Sequence, residues 1–251
     1  MRFSVDAHAI GRNLTGNEVY VRNLLRGFDA LDAESDFIVY LSEPNAAQAV
    51  PERFVSRQVS RNPFIRLGWD LSRRLREDRP DLVHVQYTAP LRCPSPIVVS
   101  VHDVSFLEHP EYFRPARVAQ LKITVRRTVQ RAARILTPSE FSSRQIQKVY
   151  GIAPEKIAVV PNAVSELFRP MPREAARAQV TGRFGIPGPY LLTVGDLQPR
   201  KNQVGLIAAF EQLLRERPEL PHHLVLTGQD SWFADRVHDA RLAAEKIAPF
   251  A

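Results

Sequence analysis

The sequence predicts an α/β protein that contains a Rossmann-like parallel sheet with helices on both faces. Short apolar runs alternate with amphipathic helical segments along almost the whole chain, which is typical of βαβ units. These runs are rich in Val and Ile and lack strict alternation, as expected for strands buried on both sides. The predicted strands are residues 3–5, 37–41, 82–85, 97–101, 134–137, 157–160, 190–194 and 224–227.

Apolar residues at helical spacing fill the intervals between these strands. The predicted helices cover Val21 to Leu31 and positions within residues 117–133, 141–150 and 204–214. Ser139 precedes the helix at 141–150, and its hydroxyl can accept a hydrogen bond from a free backbone amide, so we expect it to be the N-cap.

The segment from Phe168 to Arg173 reads Phe-Arg-Pro-Met-Pro-Arg, and its two prolines interrupt any regular element. We therefore expect a first Rossmann-like domain at residues 1–168 and a second one at residues 169–251. The second contains only two predicted strands, fewer than a complete domain of this architecture, so we expect a partial domain that is cut short.

Composition limits the classes of protein that remain. A single cysteine, Cys93, excludes an internal disulfide and a metal site made of several cysteines. No run approaches the roughly 18 to 20 consecutive apolar residues that span a bilayer. The N-terminus carries Asp6 and His8 where a signal peptide needs an apolar stretch, which predicts a cytoplasmic protein.

The net charge of +7 indicates an anionic partner. One basic cluster surrounds Phe64, Ile65 and Trp69; its members are Arg66, Arg73, Arg74, Arg76 and Arg79. A second cluster lies along a predicted helix: Arg114, Arg117, Lys122, Arg126, Arg127, Arg131 and Arg134. Two interpretations stay open, namely solvated helix faces and peripheral contact with an anionic inner-membrane surface. Nucleic acid is not expected, because no reader motif or stacking platform is present.

Two cations occupy an unusual position in the second domain. Arg200 and Lys201 follow the strand at 190–194 and come just before a helix. The N-terminal end of a helix is already partly positive, so cations there oppose the helix dipole. A bound phosphate or diphosphate would remove this conflict, because amides, dipole and side chains would all face the anion. The alternative is a pair of solvated surface charges next to a turn.

Four segments, in this order, resemble family 4 glycosyltransferases, which are retaining enzymes of the two-domain GT-B architecture. They are Thr15-Gly16 with Tyr20-Val-Arg-Asn-Leu-Leu25; Ser100-Val-His-Asp-Val-Ser105; Thr137-Pro-Ser-Glu-Phe-Ser142 with Ala158-Val-Val-Pro-Asn162; and Leu191-Leu-Thr-Val-Gly-Asp-Leu-Gln-Pro-Arg-Lys-Asn202. The resemblance implies that residues 1–168 form the acceptor side and residues 169–251 part of the nucleotide-sugar donor domain.

The resemblance further implies transfer of a hexose, mannose-like, from a nucleotide diphosphate sugar to the hydroxyl of a sugar or lipid-linked acceptor. It implies no cofactor and no metal, and the chain has no Asp-x-Asp metal signature. The family's late Glu-x7-Glu pair has no counterpart in a suitable setting. A catalytically incomplete nucleotide-sugar binding or scaffold protein, and a basic membrane-surface adaptor, therefore remain as alternatives.

The resemblance also assigns roles to individual residues. His102 and Asp103 correspond to the catalytic region, with His102 bound to the transferred sugar. The donor-binding residues would be Gly16, Gly195, Arg200, Lys201 and Asn202, and weaker candidates are Glu140 and Asn162. Glu18 stands where the family usually has a second glycine, and Ala163 where it usually has the glycine of Pro-Asn-Gly.

Overall fold

A computed structural model describes residues 1–12, 15–165, 168–186, 188–244 and 247–248. The chain divides into two compact units. The first comprises Met1–Glu108 and Ala116–Asn162, and the second comprises His109–Pro115 and Ala163–Ala251. The predicted domain boundary at residue 168 lies a few residues after Asn162 and directly after residues 166–167, which are outside the described residues. It stays a prediction.

The first unit contains a seven-stranded, fully parallel sheet in the order β3-β2-β1-β4-β5-β6-β7. Its strands are β1 (Arg2–Asp6), β2 (Asp36–Leu41), β3 (Val55–Gln58), β4 (Leu82–Gln86), β5 (Ile97–Ser100), β6 (Arg134–Thr137) and β7 (Ile157–Val159). The strand order reverses between β1 and β4, as in a doubly wound Rossmann sheet. The predicted α/β fold class is confirmed, although the edge strand β3 was not predicted.

Six α-helices connect these strands: α1 (Thr15–Leu31), α2 (Pro63–Ile65), α3 (Leu71–Asp78), α4 (Ser105–Glu108), α5 (Pro115–Arg131) and α6 (Glu140–Tyr150). A π-helical turn, Arg66–Asp70, joins α2 to α3. The predicted cap of α6 is confirmed, because Oγ of Ser139 accepts from the backbone amide of Ser142 at 3.1 Å.

The core of the first unit forms where α1 packs on the sheet. Val21 and Leu25 of α1 are fully buried against Val5 and Val39. Phe37 stacks on Phe28 at a centroid distance of 5.1 Å and on Phe54 at 4.5 Å. This packing fixes the start of α1 next to the carboxyl end of β1, where the candidate site lies.

The second unit contains a three-stranded parallel sheet in the order β10-β9-β8. Its strands and α-helices are α7 (Arg173–Phe184), β8 (Tyr190–Val194), α8 (Gln203–Glu216), β9 (His223–Thr227), α9 (Asp235–Leu242) and β10 (Ile247–Ala248). Ile207 and Phe210 of α8 pack on Leu224 and Leu226 of β9. The strand β10 was not predicted.

The prediction of strands buried on both sides was wrong for β8. Leu191, Leu192 and Val194 are 45%, 54% and 70% exposed. Among the described residues, β8 pairs only with β9. No residue of α7 is buried, so this helix does not pack closely on the exposed face of β8. The apolar run therefore correctly predicted a strand but overestimated its burial.

Candidate functional site

Polar residues of the first unit meet at the carboxyl edge of its parallel sheet. Asp6 ends β1, Gln86 ends β4, and His102 follows β5 by two residues. Parallel strands deliver their carboxyl ends to one edge, where ligands bind in open α/β folds. The sequence predicted this location for His102, whereas Gln86 was missed.

His102 is held on several sides. Its Nε2 lies 3.2 Å from Oε1 of Gln86, and its backbone carbonyl accepts the hydroxyl of Ser142 at 3.0 Å. The rings of Tyr20 and Tyr87 stand edge-on to the imidazole, with centroid distances of 4.6 Å and 5.7 Å. Burial lowers the pKa of His102 below its ordinary value, and Asp103 opposes this shift only in part. The imidazole is therefore neutral at physiological pH.

A second histidine lies beneath this site in a buried polar chain. Oγ of Ser100 is 2.8 Å from Nε2 of His84 and 2.7 Å from the hydroxyl of Tyr20. Burial lowers the pKa of His84 to about 4, although Asp6 raises it and His102 lowers it further. Burial also raises the pKa of Tyr20. All three side chains are thus uncharged near neutral pH.

The carboxylate of Asp103 is directed to the backbone. Its Oδ1 accepts from the amide of Ser105 at 3.0 Å and from the hydroxyl of Ser105 at 2.6 Å, at the start of α4. These bonds fix the turn that follows His102. The assignment of Asp103 as a catalytic residue stays a prediction.

Gly16 is the second residue of α1, so this helix begins earlier than the predicted start at Val21. A β-carbon at Gly16 would meet nothing within 4 Å. The next residue, Asn17, accepts a hydrogen bond through its backbone oxygen from Nε2 of Gln86 at 3.4 Å. Gly16 and His102 therefore lie at the same edge of the sheet, linked through Asn17 and Gln86.

The two weaker candidates, Asn162 and Glu140, differ in their surroundings. Asn162 lines a small cavity of about 10 Å³ together with His102, Tyr20 and Thr137. That volume is too small for a sugar ring. Glu140 is the exposed first residue of α6.

A buried ion pair of Asp6 and Arg66 adjoins this edge. Nε of Arg66 lies 3.8 Å from Oδ2 of Asp6, and both side chains are almost completely buried. Neither atom has a hydrogen-bond partner among the described residues. Burial alone raises the pKa of Asp6, but Arg66 and His8 outweigh it and hold this pKa well below the ordinary value. Sequence periodicity gave no signal for this pair.

In the second unit, the loop after β8 carries the predicted donor-binding residues. Gly195 has φ +150°, and a β-carbon there would lie 3.3 Å from Cε of Lys201. The side chain of Lys201 therefore lies against the bare backbone of Gly195. The buried Gln203 donates to the carbonyl of Asp196 at 3.0 Å, which fixes the loop to the start of α8.

Arg200 and Lys201 are both exposed, and neither forms an ion pair with any carboxylate in the described part of the chain. Asn202 follows in a left-handed conformation with φ 52°, and α8 begins at the next residue. The first turn of α8 contains no acidic residue. Two unneutralised cations thus precede a helix N-terminus, an arrangement that can bind a phosphate or diphosphate.

The two basic clusters differ in how far they are neutralised. Near Trp69, Arg73 pairs with Glu77 at 2.7 Å and Arg74 with Glu77 at 3.6 Å. In contrast, α5 contains five cations and no acidic residue. Among the described residues none of these five cations has a carboxylate partner: Arg117, Lys122, Arg126, Arg127 and Arg131. The cations of α5 are therefore not neutralised by carboxylates, although Arg127 and Arg131 donate to the carbonyl oxygen of Leu91.

Within the described ranges, no helix is long and apolar enough to cross a membrane. The same residues contain no group of three or more His, Cys, Asp or Glu side chains placed to hold a metal ion.

Comparison with solved structures shows the fold. The chain aligns over its full length with 68% of Anabaena Alr3699/HepE, whose crystal structure is in complex with UDP-glucose, at a TM-score of 0.66 and 17% identity. It also resembles the UDP-GlcNAc 2-epimerase from Neisseria meningitidis bound to UDP-GlcNAc (TM-score 0.59, 9% identity), with 99% of this chain and 72% of the epimerase covered. These similarities show a GT-B-like fold.

Comparison with curated proteins shows more specific relatives. An O-antigen chain mannosyltransferase B from Escherichia coli is 30% identical over 139 residues, which cover 55% of this chain and 36% of the relative. A D-inositol 3-phosphate glycosyltransferase from Kineococcus radiotolerans is 33% identical over 154 residues, covering 55% of this chain and 34% of the relative. The chain thus spans about a third of the length of these curated relatives.

Residues 14–166 match the sequence profile of Glycosyltransferase Family 4, which is more than half of the chain. The matched region contains Tyr20, Gln86 and His102 of the edge described above. The chain belongs to Glycosyltransferase Family 4.

Proposed function

We propose that this chain transfers a hexose, mannose-like, from a nucleotide diphosphate sugar to the hydroxyl of a sugar or lipid-linked acceptor in the cytoplasm. Family membership supports the reaction class. A relative named as a mannosyltransferase and structural neighbours in complex with UDP-glucose and UDP-GlcNAc support the substrate class. In this proposal residues 1–168 serve the acceptor and residues 169–251 serve the donor.

The observation that carries this proposal is the pair of exposed, unneutralised cations Arg200 and Lys201 before α8. Negative charge develops on the diphosphate as the sugar leaves. Fixed donors and cations that face this charge lower the barrier without reorganisation. Arg200, Lys201 and the first amides of α8 supply such groups, so we propose that the reaction requires no metal ion.

The proposed reaction retains the configuration at the anomeric carbon. The bond from that carbon to the diphosphate oxygen breaks, and the acceptor oxygen forms a new bond on the same face of the sugar. The acceptor proton passes to the leaving diphosphate, so no protein nucleophile is needed. The neutral His102 hydrogen-bonds a hydroxyl of the sugar and holds it in place.

Calorimetric titration with UDP and GDP in the presence of EDTA tests the donor site. We expect one nucleotide to bind, and Arg200→Ala with Lys201→Ala to weaken binding at least tenfold, as for loss of a hydrogen bond to a charged group (about 1.5 to 3 kcal/mol). Arg215→Ala with Arg217→Ala, at the opposite end of α8, is the matched control and should bind normally. Equal affinity in both double variants would contradict the proposed donor site.

A transfer assay tests the reaction itself. UDP-glucose or GDP-mannose is incubated with methyl α-mannoside, and proton NMR follows nucleotide release and the anomeric configuration of the product. Transfer with retention supports the enzyme. Nucleotide binding without transfer to this acceptor, or to lipid-linked acceptors, would instead favour a nucleotide-sugar binding or scaffold protein.

A second candidate function, which can accompany the first, is peripheral binding to an anionic inner-membrane surface through α5. The observation that favours it is the unneutralised charge of this helix together with Ile123, which is 69% exposed among the cations. A basic helix with an exposed apolar side chain can lie at the lipid headgroup level.

Co-sedimentation tests this surface with two separate sets of vesicles, anionic ones of phosphatidylglycerol and neutral ones of phosphatidylcholine. We expect binding to the anionic vesicles that weakens with added salt and is lost in Lys122→Glu with Arg126→Glu. Arg73→Glu with Arg74→Glu, in the cluster that is already paired with Glu77, is the matched control. Equal binding to both lipids, or equal loss in both double variants, would remove α5 from this role.

A further inference from the structure

We propose that Gln86 is a positioning residue that fixes His102 in the tautomer with the proton on Nε2, so that Nδ1 presents a lone pair to a sugar hydroxyl. The inference rests on the proposed sugar transfer for its function. It concerns the first unit alone, and its geometry can be tested without a substrate.

The orientation of the Gln86 amide follows from its two neighbours. The backbone oxygen of Asn17 lies 3.4 Å from Nε2 of Gln86, and a carbonyl oxygen can only accept a hydrogen bond. The amide NH₂ therefore faces Asn17. Oε1 of Gln86 then faces His102, at 3.2 Å from Nε2 of the imidazole.

The tautomer of His102 follows from this orientation. An amide oxygen can only accept, so the imidazole nitrogen that faces it must carry the proton. A neutral imidazole with its proton on Nε2 has an unprotonated Nδ1. With the opposite tautomer, the lone pair of Nε2 would face the lone pairs of Oε1.

The imidazole must also be neutral for Nδ1 to accept a hydrogen bond. Burial favours the neutral form and lowers the pKa of His102. The titratable groups around it are Asp103, His84, Tyr20 and Tyr87. Of these, Asp103 favours the charged form, but its Oδ1 is occupied by Ser105. His84 is itself neutral above about pH 4.

Two tyrosine rings pack against the imidazole of His102. Tyr20 and Tyr87 stand edge-on to the imidazole, and the hydroxyl of Tyr20 is fixed by Ser100 at 2.7 Å. Tyr87 has a left-handed backbone with φ 57°, which is uncommon for a bulky residue and is a kind of strain that clusters at functional sites. Packing thus positions the imidazole ring, and Gln86 determines which of its two nitrogens carries the proton.

Nitrogen-15 NMR of the full chain tests the assignment directly, with the His102 signals identified by their absence in His102→Gln. We expect the wild-type imidazole to be neutral at pH 7 with its proton on Nε2. The Gln86→Met variant keeps the size of the side chain but removes the acceptor Oε1, so this tautomer should no longer be the predominant form. In Gln86→Glu, the carboxylate should favour the imidazolium and raise the pKa of His102. Gln147→Met, on α6, is the matched control and should leave both properties unchanged.

Two results would overturn the inference. One is a wild-type His102 with its proton on Nδ1, and the other is an unchanged tautomer and pKa in both Gln86 variants. Amide spectra of the variants establish that each is folded. Because Gln86→Glu preserves size and polarity, it provides a test if Gln86→Met does not fold.

Binding of a nucleotide sugar separates this inference from the proposed function. We expect UDP-glucose or GDP-mannose to bind about tenfold more weakly to Gln86→Met, as for loss of one neutral hydrogen bond, while free UDP or GDP binds equally well. As the pH is lowered and His102 becomes protonated, the affinity for the sugar nucleotide should fall. In Gln86→Glu this fall should begin at a higher pH than in the wild type. If the tautomer depends on Gln86 but no nucleotide sugar binds, the proposed function fails and the positioning role stands.

Discussion

Gly228 and Gly195 approach each other so closely that a β-carbon on Gly228 would lie 2.0 Å from the carbonyl oxygen of Gly195. They follow the neighbouring strands β9 and β8 and have φ values of +159° and +150°. Only glycine adopts such a conformation easily and leaves room for this contact. The loop that carries Arg200 and Lys201 begins at Gly195, and there its backbone is in direct contact with the backbone of Gly228.

We expect Gly228→Ala to destabilise the second unit by at least about 2 kcal/mol, because the β-carbon requires a backbone shift in addition to the strained φ. Nucleotide affinity should fall as well, since the loop must move. Gly182→Ala, within α7 and with nothing within 4 Å of the added carbon, is the control and should be neutral or stabilising. Urea denaturation measures both, and an equal midpoint in the two variants would contradict the contact.

The buried pair Asp6 and Arg66 gives a second prediction. Asp6→Asn leaves the guanidinium of Arg66 buried without its counter-ion, which should cost about 3 to 5 kcal/mol of unfolding free energy. Adding Arg66→Met should recover much of this loss, because the unpaired charge is then removed. Equilibrium unfolding in urea measures both variants.

The control for this pair is Asp29→Asn. Asp29 pairs with Arg53 at 2.6 Å, a much shorter distance, but both side chains are partly exposed. Solvent screening should limit the loss to about 1 kcal/mol or less. A larger loss at Asp29 than at Asp6 would show that distance, and not burial, decides the contribution of these pairs.

The sequence predicted six of the seven strands of the first sheet, including the edge strand β7, because each is an apolar run. It missed β3, whose residues Val55 to Gln58 are mostly exposed and polar. This strand lies at the edge and is held by backbone hydrogen bonds to β2, which leave no periodic signal in the side chains. Local side-chain patterns therefore do not reveal an edge strand whose residues are mostly polar and exposed.

At the site, the sequence placed His102 correctly because a polar residue after a buried strand must emerge at the carboxyl edge. The same rule applied to β4 would have found Gln86, which ends that strand. Its role depends on Asn17, 69 residues away in the chain, so only the folded structure brings the two together. The hydrogen bonds of Ser100 to Tyr20 and His84 were missed for the same reason.

Tyr20→Phe separates the hydroxyl of Tyr20 from its ring. Loss of the 2.7 Å hydrogen bond to Ser100 should reduce stability by about 1 kcal/mol, while the phenyl ring still packs edge-on against His102. We therefore expect the tautomer of His102 to be unchanged. Tyr190→Phe in the second unit is the control. A changed His102 tautomer in Tyr20→Phe would show that the hydroxyl, and not the ring, orients the imidazole.

His84 predicts a pH dependence of stability. Its pKa is about 4 when folded and near 6.5 when unfolded, so the unfolded chain binds more protons between these values. Stability is therefore fully present above about pH 6.5 and falls as the pH is lowered toward 4. The difference between the two pKa values corresponds to about 3 kcal/mol. His102 adds to this fall, because burial lowers its pKa as well.

Urea unfolding at several pH values between 4 and 7 measures this dependence. His84→Gln can keep a hydrogen bond to Ser100 but cannot be protonated, so its stability should fall by about 3 kcal/mol less than that of the wild type over this range. His109→Gln, at an exposed position, is the matched control and should follow the wild-type curve. If His84→Gln keeps the full wild-type dependence, then His84 already accepts a proton in the folded protein and the buried chain with Ser100 and Tyr20 is not neutral.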